Sequence, residues 1–228
     1  MCEYEGEIKM KQTIKWTVTT LAVVLLLLCV SGGTANTVEQ AGVVGDCFPD
    51  EPVLTPDMPE YHCVEGGRHY GQRQYDLALD SYRMALEIDS SYSNAYHGLA
   101  FTYRAMGRFD LAIENYSEVI CLEPDYAQPY ESRAELYQCV GLYNDAESDL
   151  DSYVRLYGQY PVPYLARGDF FMEQREYARA SDDYAMAIER NPKLQVSYVK
   201  YTGALLLSGK TEEARIAFEQ AAALGNSK

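Results

Sequence analysis

Three histidines, six cysteines and a surplus of carboxylates are the side chains in this 228-residue chain that could do chemistry. His62 and Cys63 are adjacent, His69 follows, and His97 stands 34 residues after Cys63, a set that could in principle ligate a transition metal. Protein sites for such metals draw ligands at CxxC or HExxH spacing, and neither spacing occurs here. His62 and His69 fall where aromatic residues recur elsewhere in the chain, so packing is the better account of both. Only Cys63 and His97 could face a common space, and no metal or cofactor is expected. Cys47 and Cys63 are close enough to form a disulfide in an oxidising compartment, with free thiols as the alternative reading. The acid pairs Asp182-Asp183 and Glu212-Glu213 read as residues at helix starts, where negative charge suits the helix dipole. No phosphate-binding glycine loop and no activated nucleophile are visible, so the chain is expected not to be an enzyme.

What positions these residues is a pattern of period 34. In Ser93 to Tyr126, Tyr96, Leu99, Ala100 and Tyr103 recur at i, i+3, i+4, i+7, and so do Ala112, Tyr116, Val119 and Ile120 after Gly107. That spacing predicts two short amphipathic helices, neither able to bury its stripe alone. The same signs recur in 59–92, 93–126, 127–160, 161–194 and 195–228. Position 4 of these units holds His62, Tyr96, Tyr130, Tyr164 and Tyr198. Position 20 is alanine in all five: Ala78, Ala112, Ala146, Ala180 and Ala214. Aromatic residues recur at positions 11, 17 and 24, with Leu150 at position 24 of the third unit and Tyr153 compensating at position 27. A small residue ringed by aromatics is what close approach of two helices needs, because a larger one would overpack by about 1–3 kcal/mol.

This ladder resembles the tetratricopeptide (TPR) repeat in its bacterial form, on the strength of YLARGDFF (164–171), YESRAELY (130–137) and the invariant alanine. The resemblance covers residues 59–228. It implies an all-α fold, a right-handed α-solenoid of five stacked helix pairs with a concave groove. The first unit reads as the weakest because Gly66, Gly67 and Gly71 lie within its first helix, and interior glycine costs about 1 kcal/mol relative to alanine. Arg175 stands where units two, three and five have glycine, so that turn is expected to be strained or differently capped.

Upstream, residues 1–35 read as a targeting segment. A basic run, Met10 to Lys15, precedes an apolar run from Trp16 to Val30, and Gly33-Thr34-Ala35 supplies small residues for cleavage after Ala35. Met10 is the better start, since Glu3, Glu5 and Glu7 precede it. The segment reads as a cleaved signal peptide, or as an anchor, Trp16 to Ala35 being just long enough to span a bilayer, with a cytosolic protein as the remaining alternative. Residues 36–58 carry five acidic side chains and no Lys or Arg, the composition of a flexible linker. The expected location is therefore extracytoplasmic, secreted or membrane-anchored, with residues 16–35 the only membrane contact. The net charge of −15 excludes nucleic acid as a partner.

A protein or peptide partner is what the resemblance implies. Positions 5, 9, 12 and 13 of each first helix lie opposite the core stripe and, in the family, line the groove. The candidate groove residues are Tyr70 in the first unit and His97, Phe101 and Arg104 in the second. They continue with Glu131 and Glu135 in the third, Leu165, Asp169 and Met172 in the fourth, and Val199 and Leu206 in the fifth. That groove reads as apolar at both ends and acidic between, complementary to a segment with basic residues between hydrophobic anchors. The rival reading is a self-associating protein, a homo-oligomer stacking through a face around Leu206, Leu207 and Ile216.

Overall fold

A computed structural model describes residues 54–225; the targeting segment, Cys47 and most of the linker lie outside them. Among the described residues there are ten α-helices and no strand. They run α1 (Pro59–Gly71), α2 (Tyr75–Ile88), α3 (Ser93–Ala105), α4 (Phe109–Leu122) and α5 (Gln128–Cys139). They continue with α6 (Tyr143–Tyr157), α7 (Val162–Glu173), α8 (Tyr177–Arg190), α9 (Gln195–Leu207) and α10 (Thr211–Gly225). Odd-numbered helices are the first (A) helix of each repeat and even-numbered ones the second (B). Each packs on its neighbours in sequence, giving the α-solenoid of five helix pairs.

The turn between A and B is the same in all five repeats. Position 15 takes a left-handed conformation: Arg73, Gly107, Gly141, Arg175 and Gly209 have φ of 60°, 74°, 80°, 61° and 83°. The next residue's N–H donates to the carbonyl of position 11 at 2.8–2.9 Å, and position 15 donates to position 12 at 2.9–3.1 Å. This is the Schellman closure, which satisfies carbonyls orphaned at a helix end. Arg175 therefore keeps the ordinary cap in a conformation that costs a residue with a Cβ about 1–2 kcal/mol, and Arg73 does the same. Pro163 sits in the first turn of α7, where its missing N–H would be unpaired in any case.

The alanine ladder is the centre of the core: all five position-20 alanines are at most 1% exposed. In repeats one to four, position 24 of the B helix is buried, and in the first repeat it enters the space between two A helices, its own and the next. Tyr82 shows why glycine is required there: a Cβ on Gly66 would lie 2.6 Å from its ring, and one on Gly98 2.3 Å. Gly66 is thus a seat for Tyr82 in a fully formed helix rather than a weak point of the first repeat. Gly168 receives Tyr184 in the same way. Leu150 is buried among Ala134 and other small and aromatic residues; Tyr153 is also buried but faces a different cavity, beside Tyr126 and Gln128. Position 17 is different from expectation. Its aromatics open the B helices and stay half-buried or, for Tyr143, exposed.

Two buried ion pairs brace the middle of the stack. Arg133 grips Asp149 through two hydrogen bonds of 2.7 and 2.8 Å and donates to Ser117 Oγ of the preceding repeat at 2.7 Å. Arg167 does the same with Asp183 and with Asp151 of the preceding repeat. Asp182 and Asp183 are therefore not first-turn acids. Asp183 lies in the middle of α8 with its carboxylate buried. Glu212 and Glu213 do occupy the first turn of α10.

Candidate functional site

The A-helix positions singled out in the sequence converge on two successive cavities. The first, about 590 Å³, is lined by Cys63 and Tyr70 of α1, His97 and Phe101 of α3, and by Tyr82 and Tyr92. Its walls are aromatic because position 24 reaches through from the B helix and position 34 closes the turn above. His97 Nε2 meets Gln128 Oε1 of the next repeat at 2.6 Å. Its ring stands edge-on to Phe101 and Tyr116, with centroids at 4.8 and 5.9 Å. Burial lowers the His97 pKa below the ordinary histidine value, against the opposing Gln128 contact and Glu123 charge. Cys63 and His97 do share this cavity, but burial, with Glu60 second, pushes the Cys63 thiol up to about 12. The thiol is protonated at neutral pH and is a poor nucleophile and metal ligand.

The second cavity, about 390 Å³, is lined by Glu131 and Glu135 of α5, Leu165, Asp169 and Phe170 of α7, and Lys200 of α9. Its charge is more balanced than the sequence suggests. Arg104 Nη2 donates to Glu135 at 2.6 Å, and Lys200 Nζ holds both Asp169 oxygens at 2.7 and 2.9 Å. Asp169 also accepts from the Tyr184 hydroxyl at 2.7 Å. Glu131 is half-buried, and burial pushes its carboxyl above the usual range despite a hydrogen bond from Tyr153. The acidic middle therefore contains ion pairs that climb from one A helix to the next, and among the described residues neither Glu131 nor Glu173 is part of one.

The remaining candidates lie elsewhere. Met172 is half-buried against the core of repeats three to five. Val199 and Leu206 are 56% and 53% exposed and line neither cavity. His62 is buried with Nε2 2.8 Å from the Pro56 carbonyl, as packing requires. His69 is only half-buried and pairs with Gln74 instead of filling the core. Cys121 and Cys139 are free and exposed. Among the described residues no three His, Cys, Asp or Glu side chains are grouped so as to hold a metal ion. Sequence reasoning missed Lys200 as a wall of the second cavity; its position 6 is small in repeats two to four, so no repeated side chain pointed to it.

Residues 102–141, from the middle of α3 to the α5–α6 turn, match the family profile described as TPR repeat. Protein bimA of Emericella nidulans is 34% identical over 62 residues, a match that spans 27% of this chain and 8% of that protein. The crystal structure of MamA protein superposes with a TM-score of 0.66 at 20% identity, covering 75% of this chain and 93% of that one. YrrB, described as a TPR protein with an unusual peptide-binding site, gives 0.60 at 15% identity over 75% and 88% of the two chains. PilF of Pseudomonas aeruginosa gives 0.60 at 18% identity over 75% and 78%. At these identities the likeness is one of fold. No helix among the described residues is long and apolar enough to cross a membrane.

Proposed function

We propose that this chain, whose residues 102–141 match the TPR-repeat profile and whose helix pairs take the TPR solenoid fold, is a non-catalytic scaffold whose A-helix face holds a segment of a partner protein. The observation that carries this reading is the convergence of positions 5, 9 and 12 of successive A helices on two consecutive cavities. The first fits a large apolar or aromatic side chain between Tyr70, Tyr82 and Phe101. The second fits an apolar residue against Leu165 and Phe170, followed by a basic one at Glu131 and Glu173. The peptide-binding description of YrrB supports the class of guest. A photo-crosslinking residue in place of Phe101 or Leu165 should capture the bound segment, and Phe101→Glu should abolish capture at Leu165. Equal capture from the opposite face, at Glu118 or Asp182, would overturn the groove reading.

Residues 10–35 support placing the scaffold outside the cytoplasm, secreted or tethered. The N-terminal mass of the mature protein and its partition into the membrane fraction check this: a start at Asn36 means cleavage, an intact Trp16–Ala35 in the membrane fraction means an anchor, and an intact segment in the cytosol removes the reading. One observation favours self-association as a second reading. Position 24 is at most 7% exposed in repeats one to four, whereas Phe218 is 63% exposed, and Leu206 and Val199 of the same repeat are exposed as well. Leu207 and Ile216 contribute less to such a face, because positions 13 and 22 are exposed or half-exposed in every repeat. Light scattering over a range of concentrations decides: a monodisperse monomer removes this reading.

A further inference from the structure

A third cavity, about 420 Å³, lies between the α4–α5 turn and the C-terminal half of α6 and shares no lining residue with the other two. Asp125, Tyr126 and Gln128 form one side, and Tyr153, Leu156 and Tyr157 the other. Tyr153 and Tyr157 stand one turn apart with rings 9° from parallel and centroids 6.3 Å apart. Tyr160 extends the strip, 4.5 Å beyond Tyr157. Tyr126, Tyr157 and Tyr160 are all exposed, so core packing does not account for this concentration of rings.

The electrostatics around them are one-sided. Asp125 is on the rim, and no Lys, Arg or His lines the cavity. Burial first, then Glu131, pushes the Tyr153 phenol above its ordinary value, and burial with Glu123 does the same to Tyr126. Elsewhere this chain places a guanidinium over its ring faces, at Tyr103, Tyr137, Tyr164 and Phe171. Among the described residues none of these stacks falls on Tyr126, Tyr153 or Tyr157. Electron-rich faces, nearby carboxylates and no resident cation are complementary to a cation.

We propose that this cavity binds the guanidinium of an arginine presented by a partner chain, stacked on Tyr157 and hydrogen-bonded to the Asp125 carboxylate. A flat ring strip suits a planar, weakly hydrated guanidinium better than a compact, strongly hydrated ammonium. The site is lined by its own residues, although Tyr126 packs on the His97 ring of the first cavity at 5.8 Å between centroids and Tyr153 donates to Glu131 of the second.

The test is an NMR titration of the full chain, ¹³C-labelled at tyrosine rings, with a Gly-Ser-Arg-Ser-Gly peptide and its citrulline and trimethyl-lysine analogues. The arginine peptide should give saturable shifts of the Tyr126 and Tyr157 rings, with affinity at least about fivefold above citrulline. Tyr157→Ala and Asp125→Asn, both at the surface, should each weaken it about three- to tenfold. Absent shifts, equal binding of citrulline, or tighter binding of trimethyl-lysine would each overturn the assignment.

Discussion

Gly98→Ala should destabilise this protein, although alanine is the better helix former. A Cβ at Gly98 would sit 2.3 and 2.4 Å from Cε1 and Cζ of Tyr82, where ordinary contact begins at 3.4 Å. The ring has little room to swing aside, because the same Cε1, Cδ1 and Cζ atoms lie 2.6–2.8 Å from a Cβ built on Gly66. Either α3 moves away from α2 or the ring leaves its rotamer, an overpacking cost of about 1–3 kcal/mol. Alanine returns up to about 1 kcal/mol of helix propensity. Gly203, also within an A helix, has nothing within 4 Å of a built Cβ, so Gly203→Ala isolates the propensity term and should stabilise by about 0.5–1 kcal/mol. The two variants, read by urea unfolding with far-ultraviolet circular dichroism, should therefore differ by about 1–3 kcal/mol. The chain also contains the rescue. Leu150 shares its cluster with Ala134, with Ala166 packed against it, so Tyr82→Leu should restore Gly98→Ala by at least about 1 kcal/mol relative to additivity. A Gly98→Ala protein as stable as Gly203→Ala would refute the claim that ring-on-glycine contact sets the spacing of the first two repeats.

Three further outcomes follow from the same geometry. Arg175→Gly and Arg73→Gly relieve left-handed backbone at position 15 and should each stabilise by about 0.5–1 kcal/mol in the same unfolding assay. Arg167→Met leaves the Asp183 carboxylate, 6% exposed, without its bidentate partner and should cost about 3–5 kcal/mol; adding Asp183→Leu should recover most of that. His97 has its pKa lowered by burial, so the folded state binds fewer protons than the unfolded chain. Its contribution is therefore complete above the ordinary value of 6.5 and is lost as pH falls from there toward the folded value. The fall in urea midpoint across that window should flatten in His97→Gln.

How much of this was legible in the sequence depends on how often each feature is repeated. The alanine at position 20 stands in all five units, and the helix pairs follow from it. Asp183 was misread because the acid pair was counted as the start of a helix that begins six residues earlier, at Tyr177. The Arg-to-Asp pairing over 16 residues recurs in only two repeats, too few to stand out. Gly66 was counted against helix formation because propensity is visible in a string and the far side of a helix is not.

The charge balance of the groove differs from the sequence reading for a reason that can be stated as a register. Comparing position 5 with position 5 assumes that neighbouring A helices lie level. The structure instead joins His97 to Gln128, Arg104 to Glu135 and Asp169 to Lys200, each pair 31 residues apart. A step of 31 is the period less three, so each A helix meets the next about one helical turn out of level. The same step relates Cys63 to Asn94 and Tyr70 to Phe101 in the first cavity, and Glu131 to Val162 and Gln138 to Asp169 in the second. Read at that offset, position 9 of one helix faces position 12 of the one before it and position 6 of the one after. Glu135 then finds Arg104, and Asp169 finds Lys200, so two of the carboxylates assigned to the groove are already committed to neighbours. Glu131 lacks a cation at either offset, since the residues 31 before and after it are Ala100 and Val162. It is therefore the acid whose replacement by Gln should weaken a basic guest most, ahead of Glu135.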